Sequence, residues 1–262
     1  MRARRLAACT SFAALLGATP GGSAPITSRF RVDQTLTQEV DATAAGKGKQ
    51  TVSFSTSSFI TVTLNDSVGG KSVRIVVDSM RGDTATPIPV AVFDSARGAE
   101  FHAFLSSAGR LSDLEAVNVS PAAARVQGFL TDFFPWVKAG AKPGEQWADT
   151  STRATTDGTD SVVVHRVTSY RVIARETRAA RKALRVTSEY VSTIRGTQPT
   201  DTGQPARIEG SGRGTGIYFM SPDGAYLGGD WQLQSALTIA GSFSNDPLPI
   251  SITQTTKVTP LP

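Results

Sequence analysis

Glycines 210, 212, 214 and 216 stand in the stretch GSGRGTGIYFM, where a phosphate cradle would be sought first. A dinucleotide loop needs G-x-G-x-x-G at a strand-to-helix turn, so that backbone N–H groups and the helix N-terminus face the phosphates. Here the glycines recur every second residue and no helical pattern follows. A period of two puts all four on one face of a strand. A face without side chains bends the sheet or admits a neighbour closely. The stretch Asn65–Ser72 ends in Gly70-Lys71-Ser72 like a P-loop, yet Asn65 replaces the required first glycine and a strand pattern follows, so it reads as a hairpin turn. Asp201-Thr202-Gly203 spells the acid-protease triplet without the apolar strands that hold such carboxylates together. The two histidines, His102 and His165, sit in strand contexts with no metal-ligand spacing, and no G-x-S-x-G is present. No metal site and no cofactor follow from these residues.

The elements that must position any site are strands. FITVTL and SVRIVV alternate apolar and polar residues on either side of the turn NDSVGG. SVVVHRVTSYRVIA and KALRVTSEYVSTI form a longer pair, joined by RETRAARK, which admits a helical turn. WQLQSALTIAG and PISITQTTKV read as closing strands. One segment departs from the pattern. Ser120 and Pro121 open a helix, Val126, Phe129, Leu130, Phe133 and Phe134 share one face, and Pro135 ends it. The fold class expected is therefore mainly β with one helix: a curved antiparallel sheet or open barrel, with a helix at about 120–134 packed on it.

Two stretches rhyme. Setting AEFHAFLSSAGRLSDL against TGIYFMSPDGAYLGG places Phe104 on Phe219, Ser106 on Ser221 and Gly109 on Gly224. Upstream, VRIVVDSMRG and TSEYVSTIRG share the ending Arg-Gly. The sequence thus divides into a leader (1–24), a first β half (25–119), a connecting helix (120–135) and a second β half (136–262), the halves expected to form one continuous domain. Such an internal repeat is far too long for a solenoid.

Residues 1–24 read as an export signal: Arg2, Arg4 and Arg5, an apolar run from Leu6 to Ala18, then TPGGSAP. Cys9, the one cysteine, follows Leu6-Ala7-Ala8 as in a lipobox, but too few residues precede it for lipidation to be the favoured reading. The chain is expected to be exported to the periplasm or beyond, membrane-anchored only if Cys9 is lipidated. The formal charge of +5 is inflated by the leader, whose removal leaves 24 basic residues against 22 acidic. That balance gives no support to a nucleic-acid partner. One basic cluster, Arg166, Arg171, Arg175, Arg178, Arg181, Lys182 and Arg185, reads as a solvated hairpin or as a surface for an anionic partner such as lipid headgroups or a polymer.

The stretch WVKAGAKPGEQWADT carries Val137, Gly140, Pro143, Gly144, Trp147 and Asp149. This V-x-x-G…P-G-x-x-W pattern resembles the mid-chain signature of an uncharacterised family of secreted bacterial proteins and lipoproteins. That resemblance implies an envelope or extracellular location and carries no catalytic residue. In architecture, a leader followed by a long sheet and a packed helix is similar to the LolA-like open-barrel lipoprotein carriers, which cradle acyl chains. The function expected is a non-enzymatic envelope protein holding an apolar ligand, a lipid or acyl chain, on a concave sheet, with peripheral membrane contact. The candidate lining residues are Phe101, Phe104, Phe129, Phe133, Tyr218, Phe219, Trp231 and Leu233. Two alternatives stand beside it: a structural scaffold with a protein partner, and a secreted hydrolase.

Overall fold

The computed structural model describes residues 24–262, except 87, 119–125, 128–129, 131, 139, 158–159, 179, 200–204, 223–224 and 242–245. Strands β1 (Ile26–Ala42), β2 (Gly48–Ser67), β3 (Gly70–Gly82), β4 (Glu100–Ser106), β5 (Leu111–Ala116) and β6 (Gln146–Asp157) are followed by β7 (Asp160–Arg178), β8 (Arg181–Pro199), β9 (Pro205–Met220), β10 (Tyr226–Ala240) and β11 (Leu248–Leu261). All join one antiparallel sheet, ordered β5-β4-β3-β2-β1-β11-β10-β9-β8-β7-β6, curled into a half-barrel. The mainly β fold with a curled antiparallel sheet agrees with the sequence reading.

The sheet order contains the same five-strand meander twice. Strands β1–β5 and β6–β10 run in the same sense, with β11 inserted between β1 and β10. The last hairpin of each meander closes in matching register. Leu105 faces Leu111 in the first, Met220 faces Tyr226 in the second, and the outgoing strand bulges just beyond the pair in both. The basic stretch RETRAARK is not helical where described. Arg178 pairs with Arg181 across a tight β7–β8 hairpin, and Ala180 adopts the left-handed conformation at its tip (φ 60°).

Strand alternation builds the core on the inner face. Phe30 and Val32 of β1, Ile60 and Val62 of β2, Ile75 and Val77 of β3, Phe101 of β4 and Val258 of β11 are all buried in one cluster. The connecting segment enters this cluster. Val126, Gln127 and Leu130 have helical backbone, and Val126, Leu130 and Phe133 are wholly buried. The Phe133 ring meets Phe30 edge-on at 5.3 Å and Tyr226 at 5.0 Å. Each fully buried large side chain of this kind contributes about 1.5–3 kcal/mol. The concave face is therefore filled by the chain's own segment over much of its area. A short helix α1 (Val90–Asp94) packs Phe93 over the bare Cα of Gly82.

Candidate functional site: a basic-rimmed cavity at the mouth of the half-barrel

The β2–β3, β4–β5, β7–β8 and β9–β10 turns all lie at one end of the sheet, beside the start of β1. Residues 134–138 and 140–141 run across this end. Between them lies a cavity of about 1120 Å³, at the upper end of the ~300–1,000 Å³ typical of ligand sites. Its apolar wall includes Leu64, Leu105, Phe134, Val137, Leu184 and Met220. Its described charged lining residues are Lys71, Lys138, Arg175 and Lys182 against Glu176.

The segment across the mouth is tied to both edges of the sheet. On the β4–β5 side, the Trp136 indole donates to the Ala108 carbonyl (2.9 Å), and the Arg110 guanidinium lies 4.4 Å over the Trp136 ring. Gly109 has φ 81°, and a Cβ there would sit 2.3 Å from the Val137 carbonyl oxygen, so only glycine fits. On the β6–β7 side, the Trp147 indole donates to the Trp136 carbonyl (3.0 Å) and stacks on Tyr170. The Gly144 N–H donates to the Val172 carbonyl (2.8 Å). Arg110 also reaches Asp149 of β6 at 2.7 Å and so joins the two sheet edges directly. The residues of the mid-chain signature, Val137, Gly144, Trp147 and Asp149, are thus the fastenings of this strap.

Below the mouth, Asp132 accepts two hydrogen bonds from Arg166 of β7, at 2.5 and 3.2 Å. The Arg166 guanidinium lies 4.3 Å over the Tyr190 ring. Tyr190 occupies the space that the glycine row leaves open. A Cβ on Gly214 would meet its ring at 2.2 and 2.4 Å, and one on Gly216 would meet the Tyr218 ring and Ser188 Oγ. Burial pushes the Tyr190 hydroxyl up to about 12. The glycine row therefore houses side chains of neighbouring residues, not phosphate.

The residues expected to line a trough divide three ways. Phe101, Phe133, Tyr218 and Trp231 lie in the packed core, with Tyr218 stacked on Trp231 at 5.8 Å. Leu233 lies half-buried farther along the inner face, opposite Gly214. Phe104 and Phe219 require correction. Phe104 is three residues from Phe101 and Phe219 one from Tyr218, so strand alternation turns both to the outer face. There Phe104 covers Gly70, and Phe219 packs with Ala183 and Leu227 beneath Arg178. Phe129 lies outside the described residues, as do Cys9 and Asp201-Thr202-Gly203. None of the described candidates lines the cavity. Leu105 and Met220 do, and they share strand parity with Phe101 and Tyr218, a signal readable in the sequence.

Neither histidine faces the cavity. His102 shares a hydrogen bond with Glu100 (2.9 Å), whose carboxylate also accepts two from Arg74 at 2.7 and 2.6 Å. Arg74, then His102, hold the Glu100 carboxyl down at about 2. His165 Nδ1 lies 3.0 Å from Thr152 Oγ1. Both pairs are exposed on the outer face. Among the described residues, no group of three or more His, Cys, Asp or Glu could hold a metal ion. Gly70-Lys71-Ser72 opens strand β3 after a two-residue hairpin turn.

No protein-family model and no curated protein matches the chain. One solved structure, described as "Asymmetric conductivity of engineered proteins", aligns over 90% of this chain and 100% of its own at 11% identity. Its TM-score of 0.28 is too low to bear on fold or activity.

Proposed function

We propose that this protein is an exported, non-enzymatic carrier that holds an apolar ligand, a lipid or its acyl chain, at the mouth of the half-barrel. The observation behind this reading is the cavity itself: about 1120 Å³, walled by Leu64, Leu105, Phe134, Leu184 and Met220, beside a core already filled by Phe133. An apolar chain entering such a space gains about 0.8 kcal/mol per buried CH₂. Val68, 98% exposed at the tip of the β2–β3 hairpin beside the cavity, suits contact with a lipid surface. The likeness of the mid-chain signature to that of secreted envelope proteins agrees with this reading.

Native mass spectrometry of the protein, purified without detergent and then incubated with vesicles of total lipid extract, tests it. Lipid adducts are expected on the wild-type protein and are expected to be lost in Leu184→Trp, which fills the cavity. A wild-type protein that takes up no lipid would remove the proposal.

A further inference from the structure

We infer that the cavity selects lipids whose polar end is net anionic, with the headgroup seated among Lys138, Arg175, Lys182 and Lys71. This rests on the carrier reading and adds to it the class of ligand.

The described lining holds four cationic side chains and one acid, Glu176. They come from separate elements. Lys71 begins β3, Lys138 lies on the strap, and Arg175 and Lys182 lie on the two arms of the β7–β8 hairpin. Lys71 is paired with Asp66 at 2.7 Å. Lys138, Arg175 and Lys182 have no ion pair among the described residues. Elsewhere some cations are matched, Arg74 with Glu100, Arg110 with Asp149 and Arg166 with Asp132, while others, such as Arg81, Arg97, Arg171 and Lys257, have no ion pair among the described residues. The full chain less its leader carries only two more basic than acidic residues. Four cations against one acid around a single apolar cavity are a local excess over that near-balance.

Strand geometry places this charge at the lip. A register shift between Val172 and Ala174 changes the parity of β7, so Arg175 comes to lie opposite inward-facing Leu184. Without the bulge, Arg175 would share the outer face with Arg171. Apolar wall and cationic lip together match an amphiphile with its chains inside and its negative end at the opening. Such cations also favour docking on an anionic leaflet.

The test offers the full-length mature protein equimolar phosphatidylglycerol and phosphatidylcholine in mixed vesicles. The protein is re-isolated and its bound lipids are read by native mass spectrometry. Wild type is expected to carry phosphatidylglycerol in excess. Arg175→Gln/Lys182→Gln, with its strand signal in circular dichroism retained, is expected to lose that preference by on the order of tenfold while still carrying lipid. Equal loading of both lipids by wild type, or an unchanged preference in the double variant, overturns this inference and leaves the carrier reading standing. No loading of either lipid overturns both. The cavity-filled Leu184→Trp variant should carry neither lipid. A phosphatidylglycerol excess that survives in it would place the selectivity at the outer surface and overturn the inference.

Discussion

Gly214 and Tyr190 illustrate how single residues set the interior. The aromatic ring of Tyr190 lies where a Cβ on Gly214 would be, and Arg166 covers the ring on its other contact. Gly214→Ala is therefore expected to cost roughly 1–3 kcal/mol through overpacking. In a Tyr190→Ala background, which removes the ring but leaves the Gln232 carbonyl oxygen 2.7 Å from the added Cβ, the same substitution should cost distinctly less. Equilibrium denaturation of the four proteins of this double-mutant cycle measures the coupling. An equal penalty in both backgrounds would show that the row is bare for another reason. The period-two spacing was legible in the sequence, and so was its meaning as a strand face. Which side chain fills the space was not, because Tyr190 arrives from the adjacent strand through pairing with Gly214.

At the scale of elements, the connecting segment decides whether the half-barrel is an open trough or a packed body. Two ion pairs of different character hold it: Arg166 with Asp132 ties the segment to β7, and Arg110 with Asp149 joins the sheet edges beside it. Arg166 and Asp132 are mostly shielded, with side-chain exposures of 18% and 29%. Arg110 is 51% exposed beside Asp149. Asp132→Ala leaves Arg166 shielded without its bidentate partner, and is expected to lower stability by roughly 1–3 kcal/mol. Asp149→Ala removes a more solvated contact and should cost below about 1 kcal/mol. Chemical denaturation of both variants checks the contrast, and a larger loss for Asp149→Ala would reverse this ranking of the fastenings. The helix of this segment was expected from its apolar spacing, and Val126, Leu130 and Phe133 are buried as that spacing requires. Its place inside the concave face, where a ligand had been expected to lie against Phe101 and Tyr218, depends on the curl of eleven strands and on contacts between distant residues.

Across the whole molecule, all four tyrosines of the chain share one electrostatic condition. Burial raises the hydroxyls of Tyr170, Tyr190, Tyr218 and Tyr226 above the ordinary 10.0, Tyr190 to about 12. The phenolate is the charged form, so a folded value above the unfolded one means that the unfolded chain loses protons first. The stability these groups contribute is fully present below pH 10 and is lost as pH rises through their folded values, about 12 for Tyr190. Tyrosinate absorbance and far-ultraviolet circular dichroism, followed together in an alkaline titration, are expected to change in one transition, with ionisation delayed until the sheet unfolds. Tyrosines that ionise near pH 10 over an intact sheet would contradict this.

Local patterning specifies the class of fold. Alternating apolar residues, glycine turns and β-branched runs specify long strands through local geometry. Strand parity also determined that Phe101 and Phe104 lie on opposite faces, so this correction follows from the period of a strand alone. Where empty space remains is set by packing between distant segments. The cavity is bounded by four hairpin turns and a strap drawn from both halves of the chain, and its basic lip depends on a bulge in β7. Space and charge at such a place arise from residues far apart in sequence, whose meeting is set by register, sheet curl and packing, and no local pattern encodes those.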